Sequence, residues 1–172
     1  MIEIRILDGE EARQRIPELA LILKDCVNKG ASVSFMNPFS LAEAVGFFTD
    51  IAEAVSRSEV ILFAAFEAGR AIGTVQLQPV WKPNQPHRAD VAKMLVHSAH
   101  RNQGLGQKLL DAVDIEAKRR GMTLLTLDTM SDSAAERLYL RTGYIKMGVI
   151  PNFALWPDGG FGDTSFFYKE IR

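Results

Sequence analysis

Hydrophobic and polar residues recur along the chain with two periods, which predict alternating strands and helices. The first residues, Ile2 to Ile6, alternate between isoleucine and charged side chains, a pattern typical of a half-buried strand. Helical spacing follows over Glu10 to Asn28 and over Leu41 to Ser56. Asp8 and Ser40 stand directly before these helical patterns and are predicted N-caps.

The middle of the chain predicts a β-hairpin followed by a third strand. Two apolar runs, Glu59 to Phe66 and Ala71 to Val80, flank a turn at Glu67 to Arg70. A loop broken by two prolines, Trp81 to Pro86, comes next. The apolar run from Val91 to Val96 then predicts another strand, which leads directly into a glycine-containing turn.

The second half of the chain predicts strands and helices in alternation. From Leu105 the apolar positions recur at helical spacing, and Gly121 ends that helix. The later predictions are the strand Thr123 to Asp128, the helix Ser131 to Thr142, the strands Tyr144 to Val149 and Thr164 to Ile171, and the loop Pro151 to Gly162. The order β α α β β β α β α β β predicts an α/β fold with a mixed sheet, in a single domain over residues 1–172.

Composition and charge exclude several classes of function. The 172 residues are 47% hydrophobic with a formal net charge of -1, so neither general nucleic-acid binding nor a membrane span is expected. Met1 to Arg5 lacks the start of a signal peptide. The single cysteine, Cys26, is predicted to be buried and fits a reducing cytoplasm. The histidines and the cysteine lack zinc-like spacing, so no metal is predicted.

The turn from Arg101 to Gly106 has the features of an anion-binding site. It stands where a strand passes into a helix, and the N–H groups in the first turn of a helix have no partners within the helix. The positive end of the helix dipole and two glycines also favour a phosphate. A nucleotide, a phosphosugar or a CoA would satisfy these features equally well.

Two motifs together resemble those of the GNAT superfamily of N-acetyltransferases. The first is a strand, Arg101-x-x-Gly104-x-Gly106 and a helix, which is similar to the acyl-CoA-binding signature of that family. The second is Ala135-x-x-x-Tyr139 followed by Gly143-Tyr144. The resemblance implies a mixed, mostly antiparallel central sheet flanked by helices, with a splayed parallel strand pair that binds acyl-CoA.

Short segments across the chain are similar to the tabtoxin-resistance branch of that family. They are Gly30 to Met36, Lys82 to Asn84, Arg88 to Val91, Leu127 to Thr129 and Pro157 to Gly159. This resemblance implies a small, amino-acid-like β-lactam toxin as the substrate. One position departs from the family pattern: Asp132 stands where the family often has a cofactor-contacting asparagine, and Ser131 or Ser133 is the candidate replacement.

The cofactor is expected to contact the glycine loop and the strand before it. Backbone N–H groups of the loop would hold the pyrophosphate of acetyl-CoA, and Arg101 would neutralise a phosphate. The strand would pair with the pantetheine arm, with a backbone N–H near Leu95 or Val96 polarising the thioester. The expected cofactor-binding residues are Met94, Leu95, Val96, Arg101, Asn102, Gln103, Gly104, Leu105, Gly106, Gln107 and Ser133.

Three residues are candidates for the catalytic chemistry. By resemblance, Tyr139 protonates the leaving sulfur, although its spacing also fits a core aromatic. Asp128, at the C-terminal end of a parallel strand, and Asp90 are candidate general bases, or simply polar residues beside a loop. His97 and His100 receive no role.

The acceptor is expected to enter opposite the thioester, between loops rich in aromatic residues. These loops are Ala31 to Asn37, Trp81 to His87 and Asn152 to Phe161. The first hypothesis is an acetyl-CoA-dependent N-acetyltransferase acting on the primary amine of a small, amino-acid-like metabolite or toxin. The alternatives are an acetyltransferase for a protein N-terminus or lysine, and a non-catalytic CoA-binding module. By resemblance, a homodimer through the C-terminal strands is a further expectation.

Overall fold

A single seven-stranded sheet forms the centre of the molecule, with two helices on each of its faces. The computed structural model describes residues 1–172. The strands are β1 (Ile2–Leu7), β2 (Ile61–Glu67), β3 (Arg70–Pro79), β4 (Arg88–Val96), β5 (Leu124–Met130), β6 (Ile145–Leu155) and β7 (Phe161–Glu170). The helices are α1 (Gly9–Asn28), α2 (Leu41–Ser56), α3 (Leu105–Arg119) and α4 (Ala134–Arg141). This order confirms the predicted sequence of elements.

The sheet has the order β1-β2-β3-β4-β5-β7-β6 and is antiparallel except at one place. β4 and β5 are parallel neighbours, and they pair only over Arg88–Asp90 and Leu124–Thr126. Beyond these residues the two strands separate. The predicted mixed, mostly antiparallel sheet with a splayed parallel pair is therefore confirmed.

An irregularity in β4 lies where the two strands separate. The register between β3 and β4 shifts between Thr74 and Gln76, and Lys93 on β4 has a left-handed φ of +50°. A residue inserted in this way bends its strand and increases the local twist. The bend accompanies the loss of pairing to β5, so the upper half of β4 has a strand neighbour on one side only.

The two faces of the sheet carry separate hydrophobic cores because side chains alternate along each strand. One core packs against α3 and α4 and contains Phe63, Leu109 and Phe167. The other packs against α1 and α2 and contains Phe48 and the buried Cys26. The predicted burial of Cys26 is confirmed, and that burial raises the pKa of its thiol.

Side-chain caps define the beginnings of the first two helices as predicted. The Asp8 carboxylate accepts a hydrogen bond from the backbone N–H of Glu11 at 2.8 Å. Ser40 and Glu43 form a reciprocal capping box at the start of α2. Each cap satisfies N–H groups that have no partner within the helix.

The predicted loop over Pro151 to Gly162 is wrong for most of its length. β6 continues to Leu155 and β7 begins at Phe161, so the turn between them is five residues long. The prolines and glycines indicated a loop, but β6 is an edge strand, where a proline costs no pairing. An irregularity between Ile150 and Ala154 absorbs Pro151 without ending the strand.

Candidate active site

The separation of β4 from β5 creates a cleft that opens beside the glycine loop. Met94 and Val96 direct their side chains toward the α3 core, and Leu95 is buried in the α1–α2 core. No strand pairs with this part of β4 on its β5 side. An extended chain with amide groups could therefore add to β4 there, as the sequence predicted for pantetheine.

The glycine loop leaves the N-terminus of α3 without a side-chain cap. Gly104 precedes the helix with a φ of +74° and makes no side-chain capping contact. Asn102 also has a left-handed φ, of +60°. Backbone N–H groups in such a turn form a concave nest for anions. The loop is exposed to solvent, and the first turn of the helix carries no acidic residue.

Arg101 is exposed, but its side chain folds back onto the end of β4. Its Nε donates to the carbonyl oxygen of Val96 at 3.1 Å, and its Nη2 lies 3.6 Å from the Cys26 Sγ. The guanidinium group therefore stays beside the loop and adds positive charge to the nest. A direct contact with a phosphate remains a prediction.

Ser133 lies at the start of α4, one residue after position 132, where the family often has a cofactor-contacting asparagine. The Ser133 hydroxyl accepts from the backbone N–H of Glu136 at 3.1 Å and so caps the helix. Such a hydroxyl still has its own hydrogen to donate. Ser131 instead pairs with the Ser165 hydroxyl at 2.6 Å, and Asp132 is exposed. Ser133 is therefore the better candidate of the two serines.

Tyr139 lies on α4 against the sheet and is 5% exposed. Its ring packs against Tyr144 and Phe167, with centroid distances of 5.5 and 6.1 Å. Burial, aided by the negative charge of Asp128, raises the pKa of Tyr139 above its ordinary value of 10. The Tyr139 hydroxyl carries its proton at neutral pH, as the hydroxyl of an ordinary tyrosine does.

The two candidate bases lie on the same face of the sheet but in different surroundings. Asp90 pairs with Arg88, with an Nη1 to Oδ1 distance of 2.8 Å, and accepts a short hydrogen bond from Thr126. The side chain of Asp128 makes no hydrogen bond within the chain, although its backbone belongs to the ladder between β5 and β7. Asp128 is exposed, but partial desolvation raises its pKa, and the charge of Asp90 adds to this effect. Asp90 is thus held in an ion pair with Arg88, whereas no ion pair holds the side chain of Asp128.

Lys93 is the residue that the sequence interpretation missed at this site. Its ammonium opposes the rise in the pKa of Asp128, so the two charges lie close enough to act on each other. A single charged residue within the apolar run Val91–Val96 was the available signal. Periodicity alone could not place it, because the irregularity in β4 changes which face each side chain occupies.

Two of the three predicted acceptor loops meet above this cleft. The backbone N–H of Asn37 donates to the carbonyl oxygen of Pro157 at 2.8 Å, and its side chain donates to Asp158 at 2.7 Å. Ser32 makes a weaker contact with the carbonyl oxygen of Leu155 at 3.4 Å. These bonds join the α1–α2 loop to the β6–β7 turn.

The prediction that Trp81 to His87 lines the acceptor side is wrong. This loop enters β4 at Arg88, the end where β4 and β5 are still paired. Trp81 is 70% exposed and lies beside Arg57 and Glu59, at the far end of α2. The error arose because a loop's aromatic content does not reveal the end of the sheet to which the loop belongs.

The arrangement as a whole fits acetyl-CoA. An uncapped helix N-terminus with a left-handed glycine suits the pyrophosphate, and a half-paired strand suits the pantetheine amides. No group of three or more histidine, cysteine, aspartate or glutamate side chains is placed to hold a metal ion. None of the helices is long and apolar enough to cross a membrane.

Known structures share this fold over nearly the whole chain. A candidate acetyltransferase from Salmonella typhimurium, with its cofactor acetyl-CoA, has a TM-score of 0.80 at 20% identity over 100% of this chain and 95% of its own. A ribosomal-protein-alanine N-acetyltransferase from Brucella melitensis has a TM-score of 0.77 at 21% identity, covering 98% and 99%. A candidate phosphinothricin N-acetyltransferase has a TM-score of 0.77 at 16% identity, covering 100% and 99%.

A family model extends the agreement from fold to sequence. The model of the Acetyltransferase (GNAT) family matches residues 32–144, which include β4, the glycine loop, α3 and Tyr139. This range is about two thirds of the chain and contains both motifs that suggested an acetyltransferase. The chain belongs to the GNAT family and is an acetyl-CoA-dependent N-acetyltransferase.

Proposed function

We propose that the enzyme acetylates the primary amine of a small, amino-acid-like metabolite or toxin in the cytoplasm. The observation that carries this proposal is the bridge from Asn37 to Pro157 and Asp158, which joins two loops above the cleft. Such a cover suits a small molecule better than an extended peptide. The short segments similar to the tabtoxin-resistance branch support the same class of acceptor and a role in toxin resistance.

In this proposal the cofactor supplies the activated acetyl group, and residues of β4, the glycine loop and α4 hold it. The N–H groups of Gln103 to Gln107 receive the pyrophosphate, and Ser133 provides a further contact. A backbone N–H at Leu95 or Val96 stabilises the negative charge on the thioester oxygen, an effect worth about 3 kcal/mol per donor.

Asp128 and Tyr139 carry the two proton transfers. Asp128 takes a proton from the acceptor ammonium, directly or through water, which frees the lone pair on nitrogen. That nitrogen forms a bond to the acetyl carbon while the carbon–sulfur bond breaks, and Tyr139 donates a proton to the departing sulfur. The nitrogen then gives up its second proton to form the neutral amide, and this proton restores the Tyr139 hydroxyl. The Tyr139 hydroxyl carries its proton at neutral pH, as an ordinary tyrosine does, so the proton is available for this step.

A thiol-release assay tests the proposal directly. Acetyl-CoA and a panel of primary amines are incubated with the enzyme, and free CoA thiol is measured. The panel contains amino acids, amino-acid-like toxins and peptides with free N-termini or lysines. We expect small amino-acid-like amines to release thiol with the highest kcat/KM. Faster release with peptides would overturn this assignment in favour of a protein acetyltransferase.

Replacing Tyr139 with phenylalanine is expected to lower kcat by about 10²-fold, because the leaving sulfur loses its proton donor. The affinity for CoA, measured by calorimetry, should stay within a few-fold of the wild type. Tyr144→Phe is the matched control, since the Tyr144 hydroxyl is buried without a hydrogen-bond partner beside the same ring. Equal turnover in Tyr139→Phe and wild type would show that Tyr139 is only a core residue.

A homodimer through the edge of β6 is also part of the proposal. β6 is an outer strand of the sheet, and its exposed side chains include Ile145, Met147 and Val149. Lys146 is its one charged residue, so a second copy could cover these apolar side chains. Light scattering should give twice the chain mass of 19.1 kDa. Met147→Lys should shift the mass to that of a monomer, and a monomeric wild type would contradict the proposal.

A further inference from the structure

The irregularity in β4 positions the ammonium group of Lys93, whose hydrogen-bond partners carry no negative charge. Lys93 Nζ donates to the carbonyl oxygen of Val33 at 2.8 Å and to the Ser34 hydroxyl at 3.0 Å. Both partners are uncharged. An ammonium has three N–H donors, so these two contacts leave one donor and the full positive charge available.

Two aromatic rings lie close to the Lys93 ammonium group. Its Nζ lies 5.6 Å from the centroid of the Phe35 ring and 5.9 Å from that of Phe47, contacts that stabilise a cation less than an ion pair does. Partial burial lowers the pKa of Lys93, and Asp128 acts in the opposite direction. A cation in such a position is costly unless an anion compensates it. This cost points to a negatively charged partner at close range.

Neither carboxylate near Lys93, Asp90 or Asp128, forms an ion pair with its ammonium group. The charges of Asp128 and Lys93 shift each other's pKa, but no ion pair or hydrogen bond joins their side chains. Asp90 is already paired with Arg88 at 2.8 Å, which also removes Arg88 as an alternative anion-binding group. The cleft therefore presents one available cation and one available carboxylate, on neighbouring strands and separated from each other.

We propose that Lys93 binds an anionic group of the acceptor, such as a carboxylate, while the acceptor's amine faces Asp128. The acceptor is then an amine that carries its own negative charge, and Lys93 is a specificity-determining residue. This inference rests on the proposed function, since it concerns the acceptor of the same acetyl transfer. An acceptor with an ammonium group at one end and a carboxylate at the other would place the ammonium group at Asp128 and the carboxylate at Lys93.

The test compares an acid with its neutral counterpart. The best carboxylate-bearing amine from the panel is assayed beside its carboxamide, at a pH high enough to ionise Asp128 in every variant. For the wild type, kcat/KM should favour the acid by roughly 10- to 100-fold, the value of one charge-assisted hydrogen bond. Lys93→Met should abolish this preference by raising the KM of the acid alone, whereas Lys93→Arg should retain it.

A second variant separates substrate binding from a purely structural tie to the α1–α2 loop. Ser34→Gly removes one loop contact of Lys93 while still accepting the left-handed φ of +76° at that position. It should leave the ratio between acid and carboxamide unchanged. If Lys93→Met instead lowers activity on both substrates equally, Lys93 is a loop tie and the inference is wrong.

The remaining outcomes are also decisive. Thiol release by the wild type at equal rates with acid and carboxamide overturns the role of Lys93 but leaves acetyl transfer to small amines intact. Failure of every small amine in the panel to release thiol overturns the proposed function, and the inference about Lys93 with it.

Discussion

Replacing Asp128 with asparagine is expected to lower kcat by about 10²- to 10⁴-fold, the usual contribution of a general base. The amide has almost the same shape but cannot accept the proton of the acceptor ammonium. Thiol release at saturating acetyl-CoA measures the loss. Because the Asp128 side chain is exposed and makes no hydrogen bond within the chain, the free energy of unfolding should change by no more than about 0.5 kcal/mol.

The pH dependence of the wild type gives an independent check on Asp128. Burial raises the pKa of this carboxyl above 3.8, and only the ionised form can act as a base. Activity should therefore rise with pH through this raised pKa, giving an acidic limb above the range of an ordinary aspartate. In Asp128→Asn this limb should disappear, and the residual activity should follow only the ionisation of the acceptor amine.

Asp90→Asn is the comparison that separates the two candidate bases. Asp90 is held by Arg88 and Thr126, so its removal disturbs the pairing of β4 with β5 rather than the proton transfer. We expect a smaller loss of kcat than in Asp128→Asn. A larger loss in Asp90→Asn, or wild-type turnover in Asp128→Asn, would assign the base to another group.

Replacing Gly104 with valine is expected to weaken CoA binding at least about tenfold, since each lost charge-assisted hydrogen bond costs roughly 1.5–3 kcal/mol. A Cβ at this position would meet no atom within 4 Å, so the effect is not a clash. It arises from the φ of +74°, which a β-branched residue adopts only at considerable cost. The loop should relax, and its N–H groups should no longer converge on one point. Calorimetry with CoA measures the change.

Gly121→Val provides a closely matched control for this variant. Gly121 has the same φ of +74°, follows the other end of the same helix and also has no atom near its Cβ position. Both variants should therefore lose a similar free energy of unfolding, about 1–2 kcal/mol. Only Gly104→Val should lose affinity for CoA. Equal losses of affinity in both would show that the effect comes from general destabilisation and that the loop is not the phosphate site.

The amino-acid sequence by itself determined the elements whose signals are local. The helix caps at Asp8 and Ser40, the hairpin turn at Glu67 to Arg70 and the transition from β4 into α3 depend on residues within a few positions of one another. The two motifs around Gly104 and Tyr139 are equally local. They were sufficient to predict the family before any contact across the sheet was known.

Only the tertiary structure decided how the candidate site is assembled, because strand register and face depend on distant partners. The irregularity opposite Thr74 and Gln76 places Lys93 beside the α1–α2 loop, and Arg88 and Thr126 hold Asp90, which leaves Asp128 as the proposed base.

The same physical reason explains the errors at the edges of the molecule. Pro151 predicted a loop, but its place on an edge strand permits β6 to continue. The aromatic loop at Trp81 belongs to the closed end of the β4–β5 pair. Local periods along the chain specify what each segment forms, whereas long-range pairing between strands decides which side chains meet.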